Sequence, residues 1–209
     1  MPSPTFKLSP SQSEGGELFP TKRHVVQMQR LGVKGVMITF DVSGIARFFK
    51  SLEQQDFRPE LRYPAASAYD SDFLKLLGAG PAEGIIIGQA LSMYLGEDQA
   101  SVPEIARFRE WMKRVDPSQK IDVFALYGWT SAEMFLNRME ALGPNVTRAG
   151  MVEQFSKMGA WDNRGLTTKV DVANKTPPVC EMYIVIKSGK FERLAPAKGF
   201  SCDGRFHKF

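Results

Sequence analysis

The stretch that most restricts the fold lies near the C-terminus. PPVCEMYIVIKSGKFERLAPAKGFSC reads as a hairpin with a cysteine at each end. Met182, Ile184 and Ile186 alternate with Tyr183, Val185 and Lys187, a period of two that predicts a strand. Ser188-Gly189 supplies a two-residue turn, and Lys190-Phe191-Glu192-Arg193-Leu194 alternates back. Cys180 and Cys202 are the only cysteines in the chain. A hairpin brings its ends together, so both thiols arrive near the same place. Cysteines used only there point to a disulfide, and a disulfide to an exported protein. The alternative is two unlinked thiols in a reducing compartment.

Upstream the pattern is strand, helix, strand, helix, strand. A short amphipathic helix with Val25, Met28 and Leu31 ends near Gly32. Gly35-Val36-Met37-Ile38-Thr39-Phe40 is a continuous apolar run, the mark of a buried parallel strand. Ser43 is read as the N-cap of a helix carrying Ile45, Phe48, Phe49 and Leu52. Leu61-Arg62-Tyr63 predicts a second strand. Asp70-Ser71-Asp72 opens a helix that Gly78 closes, and Glu83 to Gly88 predicts a third strand. This order predicts an α/β fold built on a parallel sheet. Beyond Gln89 the chain turns helical. Pro103 starts a helix with Ile105, Phe108, Met112 and Val115 on one face. Ile121 to Leu142 reads as a long helix, apolar almost all round and so expected to be buried on two sides. Met151, Val152, Phe155 and Met158 mark a third helix. Trp161 to Gly165 is a turn, and Thr168 to Val172 begins the final strands.

Charge and composition exclude more than they assign. The net charge is +4, with Lys and Arg scattered among Asp and Glu. No basic run interleaves with aromatics, so a nucleic-acid surface is not expected. No stretch reaches the length of a membrane span. Residues 1–22 form a Pro/Ser/Gly-rich lead without the basic and apolar regions of a signal peptide, and they are expected to be disordered.

The tail, with its C…GKFERL.P..GF.C spacing, resembles that of type I periplasmic binding proteins of the branched-chain amino-acid (Leu/Ile/Val) receptor group, the soluble receptors of ABC importers. AEGIIIG and WDNRGLTT resemble that family's segments before its second and third crossovers. The resemblance runs from Val25 to Cys202 and covers only the C-terminal half of such a protein. It implies two Rossmann-like lobes. Residues 23–90 and 168–209 would belong to the C-terminal lobe. Residues 91–167 would be the helical part of an N-terminal lobe whose remainder is missing, so the chain reads as a truncated form. It also implies a periplasmic or cell-surface location, contact with the membrane only through the permease, and no cofactor.

Enzyme motifs are absent. His24 and His207 lie near opposite ends, and no HExxH, CxxC, GxSxG or P-loop spacing occurs. Asp70 and Asp72 are read as helix N-terminal residues rather than an acid/base pair. No enzyme activity and no metal site are expected. Ligands in open parallel sheets sit beyond the carboxyl ends of the strands. Two such ends carry polar groups, Thr39 to Ser43 and Pro64 to Asp70. By the resemblance these loops hold a ligand's α-amino group and side chain, with Asp41 and Ala66-Ser67 near the contacts. Asp41, Ser43, Ala66, Ser67 and Tyr69 are therefore the candidate ligand residues, with a packing role the equal alternative for Tyr69. A carboxylate at Asp41 suits an ammonium group, and helix N-terminal support is its alternative role. The second loop departs from the family, having small residues where an acidic one is common. The reading is a substrate-binding component of an ABC importer for an amino acid or similar small polar solute. A ligand-sensing receptor or regulatory module of the same fold is the alternative.

Overall fold

The computed structural model describes residues 22–202. Of the lead read at 1–22, residues 1–21 lie outside the described residues, as does His207, while Lys22 opens the first helix. The elements are α1 (Lys22–Arg30), β1 (Gly35–Ile38), α2 (Val42–Gln54), β2 (Leu61–Pro64), α3 (Ser71–Leu77), α4 (Ala79–Ala82) and β3 (Ile86–Gln89). Then follow α5 (Pro103–Val115), α6 (Val123–Leu142), α7 (Arg148–Ser156), β4 (Ala160–Trp161), β5 (Val170–Asp171), β6 (Cys180–Lys187), β7 (Lys190–Ala195) and β8 (Ser201–Cys202). No described helix is long and apolar enough to cross a membrane.

The chain divides into two compact units. The first holds the described residues through Gly88 together with Ile184–Glu192. The second holds Gln89–Tyr183 and the segment from Arg193 onward. The boundary between the units runs through the β6–β7 hairpin, of which Ile184–Glu192 belongs to the first. Only the tip of the β6–β7 hairpin packs there; its base carries bonds within the second unit.

In the first unit β1 and β2 pair in parallel, Gly35 opposite Leu61 through Ile38 opposite Pro64. The helix between them is dictated by its apolar spacing. Ile45, Phe48, Phe49 and Leu52 recur at helical intervals and are all buried. Phe49 meets Phe73 of α3 edge-on, with ring centroids 6.2 Å apart. The run at 35–40 is shorter and less buried as a strand than its composition implies. Val36 and Ile38 are buried, while Met37 is 76% exposed. β3 also departs from the simple alternation. It joins a sheet of order β3-β6-β7, with β8 against β6. The Gly84 amide donates to the Ile186 carbonyl at 2.8 Å, and the Ile186 amide donates to Ile85 at 3.0 Å.

The hairpin turn follows the sequence closely. Ser188 and Gly189 have φ of 49° and 70°, the positive values a type I′ turn requires. The Ser188 amide donates to Glu83 Oε2 at 2.7 Å. A Cβ added at Gly189 would lie 3.2 Å from the Ala79 Cβ. Gly189→Val combines backbone strain with this crowding and is expected to cost about 1–3 kcal/mol. Urea unfolding should show a lower midpoint at unchanged slope. An unshifted midpoint would mean that the turn is not docked on α4.

In the second unit α6 is capped by Asp122, whose Oδ1 accepts from the Ala125 amide at 2.8 Å, and it stops at Gly143 with φ 63°. Its buried residues are Val123, Leu126 and Thr130. Phe124, Tyr127, Phe135 and Leu136 are exposed. The expectation of burial on two sides is therefore not met: α5 and α7 cover only part of its circumference. β4 and β5 pair antiparallel, with Trp161 opposite Val170.

Candidate functional site

The parallel register of β1 and β2 brings their carboxyl ends to one edge, and two loops leave from it. In the first, Asp41 and not Ser43 is the N-cap of α2. Asp41 has extended backbone angles, and its Oδ1 accepts from the Gly44 amide at 2.7 Å. The cap lies immediately before the first helical residue, from which a short side chain reaches the third amide of the helix. Ser43 sits one position inside the helix and is exposed. Asp41 is exposed as well, and its second carboxylate oxygen makes no hydrogen bond among the described residues.

The second loop folds over the first. The Ala65 amide donates to the Ile38 carbonyl at 2.8 Å. Residues Ala66–Ala68 form a single 3-10 turn. Within it, Ser67 Oγ donates to the Phe40 carbonyl at 2.9 Å. That bond joins the residue before Asp41 to the turn containing Ala66, and both Ala66 and Ser67 remain half-buried. Asp41, Ser43, Ala66 and Ser67 thus gather at one edge. Tyr69 does not present its ring there. It is fully buried and meets Phe191 edge-on, with centroids 4.8 Å apart. Asp70 caps α3 by accepting from the Asp72 amide at 2.7 Å, and Asp72 pairs with Lys75.

The second unit holds a charge cluster that the sequence reading missed. The Glu104 side chain is 3% exposed. It accepts from Arg164 Nε at 2.8 Å, Trp129 Nε1 at 3.1 Å and Arg107 Nη1 at 3.3 Å. Glu133 accepts from Arg107 at 2.6 Å and Arg164 at 3.0 Å. The hydrogen bond to Glu104 is the main cause that raises the Arg164 pKa above its ordinary value, with the charges of both glutamates adding to it. Only the Glu104–Arg107 spacing of three residues on a helix signals any of this in sequence. Arg164 arrives from a turn in which Asn163, Arg164 and Gly165 all have positive φ. The group is closed on itself and holds α5, α6 and this turn together. Among the described residues, no cluster of three or more His, Cys, Asp or Glu is placed to hold a metal ion.

The profile of the periplasmic binding protein family matches residues 21–188. The chain belongs to the periplasmic binding protein family. Its fold is the type I fold of that family, seen also in solved structures. A possible leucine/isoleucine/valine-binding protein from Rhodopirellula baltica superposes with a TM-score of 0.67 at 16% identity, over 91% of this chain and 48% of that one. A branched-chain amino-acid ABC transporter protein from Thermus thermophilus, solved with bound valine, gives 0.69 at 15% identity over 90% and 51%. A fatty acid ABC transporter substrate-binding protein from Thermomonospora curvata gives 0.69 at 16% identity over 88% and 47%. This periplasmic binding protein chain therefore spans about half the length of those structures. Sequence comparison with curated proteins found no match. The disulfide read from the hairpin is present between Cys180 and Cys202. It joins the base of β6 to β8 across a register that sets the two cysteines opposite each other.

Proposed function

We propose that this chain is the C-terminal part of the substrate-binding component of an ABC importer, acting outside the cytoplasmic membrane and delivering to a membrane permease. Its solute is an amino acid or a similar small polar molecule bearing an ammonium group. The observation that carries this reading is the clasp from Ser67 to Phe40, which gathers an exposed carboxylate and a polar turn at the carboxyl edge of a parallel pair. Asp41 takes the ammonium with the carboxylate oxygen that the helix does not use. Ser43, Ser67 and the backbone at Ala66 shape the polar edge, and Tyr69 supports it from beneath. A second lobe supplies the remaining contacts, as expected of solutes enclosed between lobes.

The test separates capping from binding. Asparagine caps helices as well as aspartate does, so Asp41→Asn keeps the fold and removes the charge. Valine and isovalerate differ only in the ammonium group. Backbone amide shifts at Gly44 and Ser67 are expected to move on titration with valine and not with isovalerate. Asp41→Asn is expected to erase that response, a loss of about 1.5–3 kcal/mol for a charged hydrogen bond. Equal responses to both solutes, or a response that survives the substitution, would remove Asp41 from the site.

A further inference from the structure

The second unit contains a cavity of about 570 Å³, a volume typical of small-molecule sites. Its walls are the loop after β3, the turn from Asp162 to Lys169, and the tail from Arg193 to Cys202. Two of its charged groups are already spent on each other: Arg193 pairs with Asp98. Three are not. Asp162, Lys169 and Lys198 line the cavity, and their side chains have no ion-pair or hydrogen-bond partner among the described residues. Thr168 also lines the cavity, 2% exposed, with a hydroxyl that has no hydrogen-bond partner among the described residues. Buried hydroxyls are normally satisfied, so an orphan in a cavity wall marks a place where a polar partner is missing. Val102, Phe200 and the disulfide supply apolar surface beside these groups.

We propose that this cavity binds a small carboxylate with an apolar body, and that Cys180–Cys202 latches its outer wall. The unpaired cations outnumber the unpaired acid by Lys169 and Lys198 to Asp162; both lysines are exposed, so they attract a bound anion through a field that salt screens. The apolar surface takes the body of the ligand. The wall from Ala197 to Cys202 is held by two residue pairs of β8 against β6, by Arg193 donating to the Gly199 carbonyl at 2.9 Å, and by the disulfide. The disulfide is the covalent member of that set, and reduction frees the wall at its end. The cavity lies wholly within the second unit, and the edge at Asp41 and Ser67 lies in the first. The two proposals therefore fail separately.

Phenylacetate and its neutral isostere phenylacetamide are the probes, titrated calorimetrically into the whole oxidised chain. Phenylacetate is expected to bind saturably and roughly tenfold more tightly than the amide, the scale of a charged hydrogen bond. Lys169→Ala with Lys198→Ala should weaken phenylacetate roughly tenfold and leave the amide unchanged. Asp162→Asn removes a like charge and should tighten phenylacetate binding. Reduction should weaken it. Hydrogen-exchange protection on binding should fall in residues 165–169 and 197–202 and spare 41–44. The proposal is overturned if acid and amide bind alike, if the double variant binds phenylacetate as the parent does, or if Asp162→Asn weakens binding. Affinity unchanged by reduction overturns the latch.

Discussion

Removing both arginines from Glu104 is expected to destabilise the second unit more than removing Glu104 itself. Arg107→Ala with Arg164→Ala leaves a carboxylate that is 3% exposed with only Trp129 Nε1 as donor. It also strips Glu133, 12% exposed, of both its cations. A buried charge left without its partner costs about 3–5 kcal/mol. Glu104→Gln is a milder change. The glutamine oxygen still accepts from Trp129, and the arginine side chains, 45% and 55% exposed, rehydrate easily. Its expected cost is about 1–2 kcal/mol, because the charge is lost together with the acceptor that Arg164 used, and the exposed Arg164 turns to water instead. Either single arginine variant should fall between, because the other guanidinium still reaches both glutamates. Chemical unfolding followed by tryptophan fluorescence reads this order directly, since Trp129 lies inside the cluster. Glu104→Gln costing more than the double variant would mean that the cluster is not a buried acid held by two surface cations.

The order of costs also explains why this cluster escaped the sequence. Local patterns report what a residue does within one element. The apolar spacing of Ile45, Phe48, Phe49 and Leu52 gave α2, and the alternation in 182–186 with Ser188-Gly189 gave the β6–β7 hairpin, because each pattern needs only one neighbour to bury against. Arg164 meets Glu104 across 60 residues, and no spacing rule reaches that far. The same limit shows in burial. α6 is apolar almost all round, yet only Val123, Leu126 and Thr130 are buried in it. Composition states what a face could bury, whereas the packing partners decide what it does bury. β1 repeats the lesson, with Val36 and Ile38 inside and Met37 outside.

At the candidate site, the two loops were legible as strand ends carrying polar residues, and the parallel register explains why they meet. The cap was misjudged by two residues. Ser43 and Asp41 are both good capping types, and the choice turns on where the first helical amide falls. Tyr69 was read as either a ligand-stacking or a packing residue. Its burial depends on Phe191, which comes from the far end of the chain and was invisible to any local reading of 64–70.

Loss of the Cys180–Cys202 bond is expected to lower stability by about 3 kcal/mol. The two cysteines are 22 residues apart, and closing a loop of that size removes roughly this much entropy from the unfolded chain. The effect should be uneven in the folded state. β8 has only two residues and both pair with β6, one of them through the disulfide. Once that link is gone, a two-residue strand pairing and Arg193 hold the tail. The turn at Ser188-Gly189 has its own attachments to Glu83 and Ala79 and should stay ordered. A Cys180→Ala, Cys202→Ala variant is the fair comparison, because it leaves no free thiol and puts no hydroxyl at the buried position 180. Its unfolding midpoint should match that of the reduced parent and lie below that of the oxidised parent. Hydrogen exchange should speed up at 197–202 and hold steady at 186–190. Thiol labelling of denatured, unreduced protein from an oxidising compartment should find no free cysteine. If two thiols label, or if reduction leaves both the midpoint and exchange at 197–202 unchanged, the bond contributes nothing to the fold in solution, and the cavity wall it closes must be held by the β8–β6 pairing and the Arg193 contacts.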